Sequence, residues 1–234
     1  MEPIKAPFLF LQPPMALVCR TRGGLRTRPP LHFYDMRTWL YIDGGNLHAA
    51  VKGTPLAELD PVALVAQAFP DNAIHCVKYF ASPLPGGVGP DPEVVAQRRY
   101  WRRLRELPNF YLIEGRPRRR ALPAGAGERL EERGNNINLA SHLLSDAMLG
   151  NFDAAIVVTP NPDFALPIRL ARRNAGLPIG VLNPQRLSGP ARPRLRPCAE
   201  LRVAAAFYQN GVTWNQLRRA QFAPDGLAEE PRAA

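Results

Sequence analysis

The chain has 234 residues, 46% hydrophobic and 21% charged, the make-up of a globular domain, which excludes a wholly disordered polypeptide. It contains no run of the roughly 18 apolar residues that a membrane span needs, so an integral membrane protein is excluded by this reading. Lys and Arg number 30 against 20 Asp and Glu, giving a formal charge of +10 that favours polyanions: nucleic acid, or an anionic membrane surface. A generally Arg-rich composition would produce the same balance. The three cysteines, Cys19, Cys76 and Cys198, lie far apart with no CxxC. They support neither a zinc ribbon nor a disulfide framework and fit a reducing, cytoplasmic setting.

In chain order, residues 1–35 mix proline pairs, a short apolar stretch and scattered arginines. Pro13 and Pro14 interrupt what a signal peptide would keep apolar, so a disordered leader is expected there. Met36 opens a different text, MRTWLYIDGGN, and is expected as the natural start. From Thr38 strand and helix signals alternate. Trp39–Ile42 reads as a strand running into an Asp-Gly-Gly turn, Pro61–Phe69 as a helix capped by Asp60, and Ile74–Phe80 as a buried strand. A Pro/Gly-rich loop over 82–92 precedes a basic helix over Glu93–Leu107 and a strand over Phe110–Glu114. Arg116–Gly127 reads as a basic loop, Asn138–Leu149 as a helix, and Ala154–Val158 as a β-branched buried strand. A helix over Phe164–Asn174 ends near Gly176, a strand follows over Ile179–Leu182, and a Pro/Arg loop over Ser188–Pro197 leads to short closing elements at Leu201–Tyr208 and Trp214–Arg219.

Short apolar strands separated by helices predict a mostly parallel sheet covered on both faces. In such folds ligands bind beyond the carboxyl ends of the strands. Residues at those ends here are Asp43-Gly44-Gly45-Asn46, Gly134-Asn135-Asn136-Ile137-Asn138 and Thr159-Pro160-Asn161-Pro162-Asp163. Their carboxylates and amide carbonyls are hard oxygen ligands suited to Mg²⁺ or Mn²⁺, which would hold a phosphodiester and activate a water. Structural roles compete at each position. Asp43 suits a turn cap, Asn46 and Asn136 or Asn138 suit helix caps, and Asp163 suits the N-cap of the helix that follows it. Asp146 lies one helical turn from His142, where a surface pair is the default. No phosphate-binding GxxxxGK[ST] loop and no GxGxxG occurs.

With these residues in view, WLYIDGGNLH, EERGNNINLASHLLSDAM and FDAAIVVTPNPDFALPIRLAR, in that order, resemble the NYN domain, a LabA-like branch of the PIN-like nuclease superfamily. KYFASP, IGVLNP and RRAQF fill the intervals in the same manner, and the resemblance runs from about Arg37 to Leu227. It implies a PIN-like three-layer sandwich over residues 36–228, followed by a disordered tail at 229–234. It implies metal-dependent cleavage of RNA, with Asp43, Asn46, Asn136, Asn161 and Asp163 as site residues and Asp43 and Asp163 as metal ligands. Asn136 and Asn161 stand where the family usually carries Asp. Each such change keeps an oxygen and removes a charge. A unit charge about 4 Å from another is worth about 4 kcal/mol at an effective dielectric of about 20, so metal affinity is expected to be weakened or lost. The alternative is then an inactive NYN module that binds RNA or protein.

Arg98, Arg99, Arg102, Arg103 and Arg105 share one helix with Tyr100 and Trp101, and Arg116, Arg118, Arg119 and Arg120 follow in the basic segment. Arg98, Arg99, Arg102, Arg103, Arg118 and Arg119 are expected to contact RNA, with the aromatics available for stacking. The competing expectation is a solvated helix face with Trp101 and Leu104 packed inward.

Overall fold

The structure, a computed structural model, describes residues 18–21, 24–27, 36–52, 54, 56, 58–84, 91–121, 128–186 and 196–223. Within the expected leader, Val18–Thr21 (β1) and Gly24–Thr27 (β2) pair antiparallel. The rest of that leader and the expected tail at 229–234 lie outside the described residues.

The central sheet contains Thr38–Asp43 (β3), Ile74–Ala81 (β4), Phe110–Glu114 (β5), Ala154–Val158 (β8), Ile179–Arg186 (β9) and Phe207–Val212 (β10). Their order is β10-β9-β8-β3-β4-β5, and every neighbouring pair is parallel. Side chains alternate between the faces of a strand, so Leu40 and Ile42 face one layer and Tyr41 the other. The first layer packs Gly44–Val51 (α1), Pro61–Ala68 (α2), Pro92–Leu104 (α3) and Trp214–Arg219 (α7). Asn135–Leu149 (α4), Ala165–Ala175 (α5) and Ala199–Ala204 (α6) cover the second. The result is the three-layer α/β sandwich expected from the sequence. Among the described residues no helix is long and apolar enough to cross a membrane.

Several elements differ from the sequence reading. Arg116–Gly127 is not simply a loop: Arg116–Ala121 (β6) pairs antiparallel with Glu128–Arg133 (β7). The register sets Arg116 opposite Arg133 and Ala121 opposite Glu128. Helix α1 follows Asp43 directly, where only a turn was expected. Helix α4 begins three residues before the expected Asn138, because Gly134 at φ 94° turns the chain straight from β7 into it. That left-handed backbone is open to glycine and strained for most other residues.

Asp146 departs furthest from expectation. It is buried rather than paired on the surface with His142. Its Oδ2 accepts from the Tyr41 hydroxyl at 2.7 Å and from Lys78 Nζ at 2.5 Å, and its Oδ1 accepts from Asn151 Nδ2 at 2.9 Å. Lys78 Nζ also lies 3.3 Å from His142 Nδ1 and 5.0 Å from the centre of the Trp39 ring. Burial first, and then the Asp146 carboxylate, push the Tyr41 hydroxyl far above its ordinary value. This network ties α4 to β3 and β4 beneath the second layer.

Asp146→Ala would leave the Lys78 ammonium and the Tyr41 hydroxyl buried without their acceptor. The expected cost is about 3–5 kcal/mol in urea unfolding, while the triple variant Tyr41→Phe, Lys78→Met, Asp146→Leu regains most of it. Burial, and after it the Lys78 charge, hold His142 below its ordinary value against the pull of Asp146. The unfolded chain therefore takes up this proton first as pH falls. Stability should decline as pH drops below about 6.5, and His142→Asn should flatten that part of the profile in urea titrations at pH 5 to 8.

Candidate functional site

Strand order reverses at β3. Strands β4 and β5 lie on one side of it, and β8, β9 and β10 on the other. A pocket opens beyond the carboxyl end of β3, beside the start of α4, the edge of the sheet where ligands bind in open parallel folds. Asp43 ends β3, and Thr159 is the first residue past β8.

The Asp43 carboxylate is buried and received by three donors. Oδ2 accepts from Thr159 Oγ1 at 2.9 Å and Asn46 Nδ2 at 2.6 Å, and Oδ1 accepts from the Asn46 amide nitrogen at 3.3 Å, which caps α1. A carboxylate offers about four lone-pair sites, so Oδ1 keeps one. The Asn46 side chain gives its NH₂ to Asp43, which leaves its amide oxygen for another use. Gly44 is needed for this close packing, since a Cβ there would lie 2.3 Å from the Tyr79 ring.

Asp43, Asn46 and Asn136 line one pocket of about 600 Å³, together with Arg133, Gly134 and Asn135. No side chain caps the N-terminus of α4 at Gly134. An open helix N-terminus presents amide hydrogens and a partial positive charge. Arg133 adds a full one. Asn136 is exposed at the rim, whereas Asn135 is buried with neither polar atom of its side chain bonded. The pocket thus combines one carboxylate, neutral amide oxygens and a cationic wall, offering oxygen to a hard cation and N–H to an anion.

Asn161 and Asp163 reach the same sheet edge by a relay. Thr159 Oγ1 accepts from the Asn161 amide nitrogen at 3.1 Å, and Asn161 Oδ1 accepts from the Asp163 amide nitrogen at 3.0 Å. Asn161, not Asp163, therefore caps the short 3₁₀ turn Pro162–Phe164 that precedes α5. The Asp163 side chain is exposed and stands outside the set that lines the Asp43 pocket.

The arginines of α3 divide in two. Arg98 and Arg102 are exposed. Arg99 and Arg103 each meet Glu58 at 2.5 Å, and Arg103 also donates to the Ala223 carbonyl and lies 4.8 Å from the Phe222 ring centre. Tyr100 and Trp101 are buried, which removes both from stacking on a bound base from the helix surface. The side chains of Arg118 and Arg119 lie outside the described residues, and their backbone runs in β6.

Sequence reasoning put Thr159 and Asn135 in the right segments without assigning them a role, and Arg133 went unremarked. Thr159 carries a usable signal, as the first polar residue after a wholly apolar strand.

No family model matches the chain. The chain is 26% identical over 189 residues to 6-hydroxy-3-succinoylpyridine 3-monooxygenase HspA of Pseudomonas putida, a match covering 64% of this chain. The chain spans 60% of the length of that relative. In fold it is similar to a crystal structure of VPA0982, a protein of unknown function from Vibrio parahaemolyticus, at a TM-score of 0.51 and 15% identity, covering 77% of this chain and 94% of the other.

Thr159→Val keeps the shape and removes the hydroxyl that joins Asp43 to Asn161. It leaves a buried carboxylate short of one donor, and a loss of about 1–3 kcal/mol is expected in urea unfolding. Thr159→Ser should restore most of it.

Proposed function

We propose that this chain is an RNA-directed protein of NYN, PIN-like type, acting in the cytoplasm, whose site at Asp43 is a metal-dependent ribonuclease centre of reduced charge. The observation that carries the reading is the meeting of Asp43, Asn46 and Asn136 in one pocket at the strand-order reversal.

The donors present fit a divalent ion of hard character. Asp43 Oδ1 retains a lone pair, and the amide oxygens of Asn46 and Asn136 are of the right chemistry for Mg²⁺ or Mn²⁺, whereas Asp163 stands outside this pocket. Such an ion, when bound, supplies Lewis acidity at a phosphodiester and lowers the pKa of a bound water. The chain's own residues do the rest. Thr159 and Asn46 fix the orientation of the Asp43 carboxylate. The open N-terminus of α4 and Arg133 receive phosphate oxygens. Arg98 and Arg102 hold the backbone beyond the site.

A second reading, RNA binding without cleavage, draws on the same wall. Arg133 and the α4 N-terminus favour an anion, and Asp43 is the carboxylate that lines the pocket. Monooxygenation of 6-hydroxy-3-succinoylpyridine, the activity in the name of the P. putida relative, is a third activity to assay.

Labelled single-stranded RNA incubated with Mn²⁺ separates these readings. Cleavage that falls at least 100-fold in Asp43→Ala supports the ribonuclease, and the double variant Asn136→Asp, Asn161→Asp should raise the wild-type rate about tenfold. Binding that weakens steeply with salt, without cleavage by either protein, supports the second reading. Turnover of 6-hydroxy-3-succinoylpyridine, with neither binding nor cleavage of RNA, overturns both.

A further inference from the structure

A second pocket, of about 540 Å³, lies across the first turn of α1 from the Asp43 pocket, and the two share Gly45. Its volume lies within the roughly 300–1,000 Å³ of small-molecule sites, and its walls are largely apolar, as such sites usually are. Tyr79, Ala81 and Trp101 supply much of that wall.

The polar groups around it are mostly committed. Gln97 Oε1 accepts from the Leu84 amide nitrogen at 2.8 Å, and its Nε2 donates to the Ser82 carbonyl at 3.2 Å, which fixes the segment after β4 against α3. Lys52 pairs with Glu93 at 3.4 Å on the rim. The Ser82 hydroxyl is different: it is buried and has no hydrogen-bond partner. Asn135, on the side of the Asp43 pocket, shares that state in both polar atoms of its side chain. The two residues meet at Gly115. A Cβ on that glycine would lie 2.0 Å from Asn135 Oδ1 and 2.5 Å from Ser82 Oγ. Buried polar groups are bonded in the great majority of cases. Each of these residues lines a different pocket, so the two pockets adjoin at this junction as well as at Gly45.

We propose that the paired pockets take one nucleotide unit of an RNA strand, its phosphate at the α4 N-terminus beside Asp43 and its base in the apolar-walled pocket. This rests on the reading of the Asp43 pocket as an RNA site. A base is planar and apolar on its faces, which suits this largely apolar wall. The ribose passes Gly45, which lines both pockets. The arrangement makes the protein a reader of one base inserted beside the phosphate that Asp43 approaches.

Calorimetric titration of the full chain with 5′-AMP, GMP, CMP, UMP and ribose 5-phosphate tests this. At least one mononucleotide should bind at least tenfold tighter than ribose 5-phosphate. Ala96→Trp, at an exposed position of α3 on the pocket lining, should reduce that gain to within about twofold and leave ribose 5-phosphate affinity unchanged. Equal affinity for ribose 5-phosphate and all four nucleotides overturns the proposal while leaving the RNA reading intact, and so does a gain that survives Ala96→Trp. Failure of the chain to bind any of these probes or single-stranded RNA overturns both.

Discussion

The hydrogen bond from Thr159 to Asp43 spans the line along which the sheet changes direction. Strands β3 and β8 pair in register as far as Ile42 and Val158, and beyond that the ladder stops. The Asp43 carboxylate takes over there, joining the end of β8 through Thr159 and the start of α1 through Asn46. Burying a charge is costly unless it is hydrogen-bonded. Three donors supply that compensation here, and charge-assisted bonds to a carboxylate are stronger than neutral ones. One ionised group thus holds three elements together at the mouth of the crevice, and its remaining lone pair is held at a set place and angle.

The electrostatics around that group set what the crevice accepts. A dication needs several nearby negative oxygens, and the amides of Asn46, Asn135 and Asn136 contribute dipoles only. The N-terminus of α4 and Arg133 raise the potential on the opposite wall. A lone dication therefore meets one full negative charge in this pocket and a cationic wall opposite it, whereas an anion meets N–H donors and the Arg133 charge beside a single carboxylate.

Much of the scaffold was legible because strands and helices here follow their local chemistry. Wholly apolar β8 could only be a buried strand, Asp60 before Pro61 marked the start of α2, and Gly176 marked the end of α5. The sheet edge that bears Asp43 and Asn46 was legible for the same reason, since residues after buried parallel strands occupy it. What escaped depends on distant partners. Asp146 reads as a surface residue by its spacing from His142, and only the approach of Lys78 from β4 and Tyr41 from β3 makes its burial tolerable. Arg103 reads as a free cation, and Glu58 and Phe222 absorb it. The β6–β7 ladder needs a partner strand that local proline and arginine content conceals. Asn161 took the cap expected of Asp163 because a 3₁₀ turn intervenes before α5, a choice of about one turn that composition does not settle.

Helix α4 links the two polar networks of the molecule. Its first residues, Asn135 and Asn136, stand in the crevice, and Asp146, eleven positions further on and roughly 16 Å along the axis, anchors it to the sheet. A helix of this length transmits position as a rigid element. Tyr41, which donates to Asp146, lies two residues from Asp43 on the same strand, and Lys78 lies on the neighbouring one. The sheet therefore fixes α4 through Asp146 and fixes the carboxylate through β3 itself, so the spacing between Asp43 and the open amides of α4 is set twice by the same two strands. The ion pair under α4 holds the open N-terminus of that helix at a constant distance from the Asp43 carboxylate, and this gives a buried pair of modest net stability a reason to persist where apolar packing would suffice for folding.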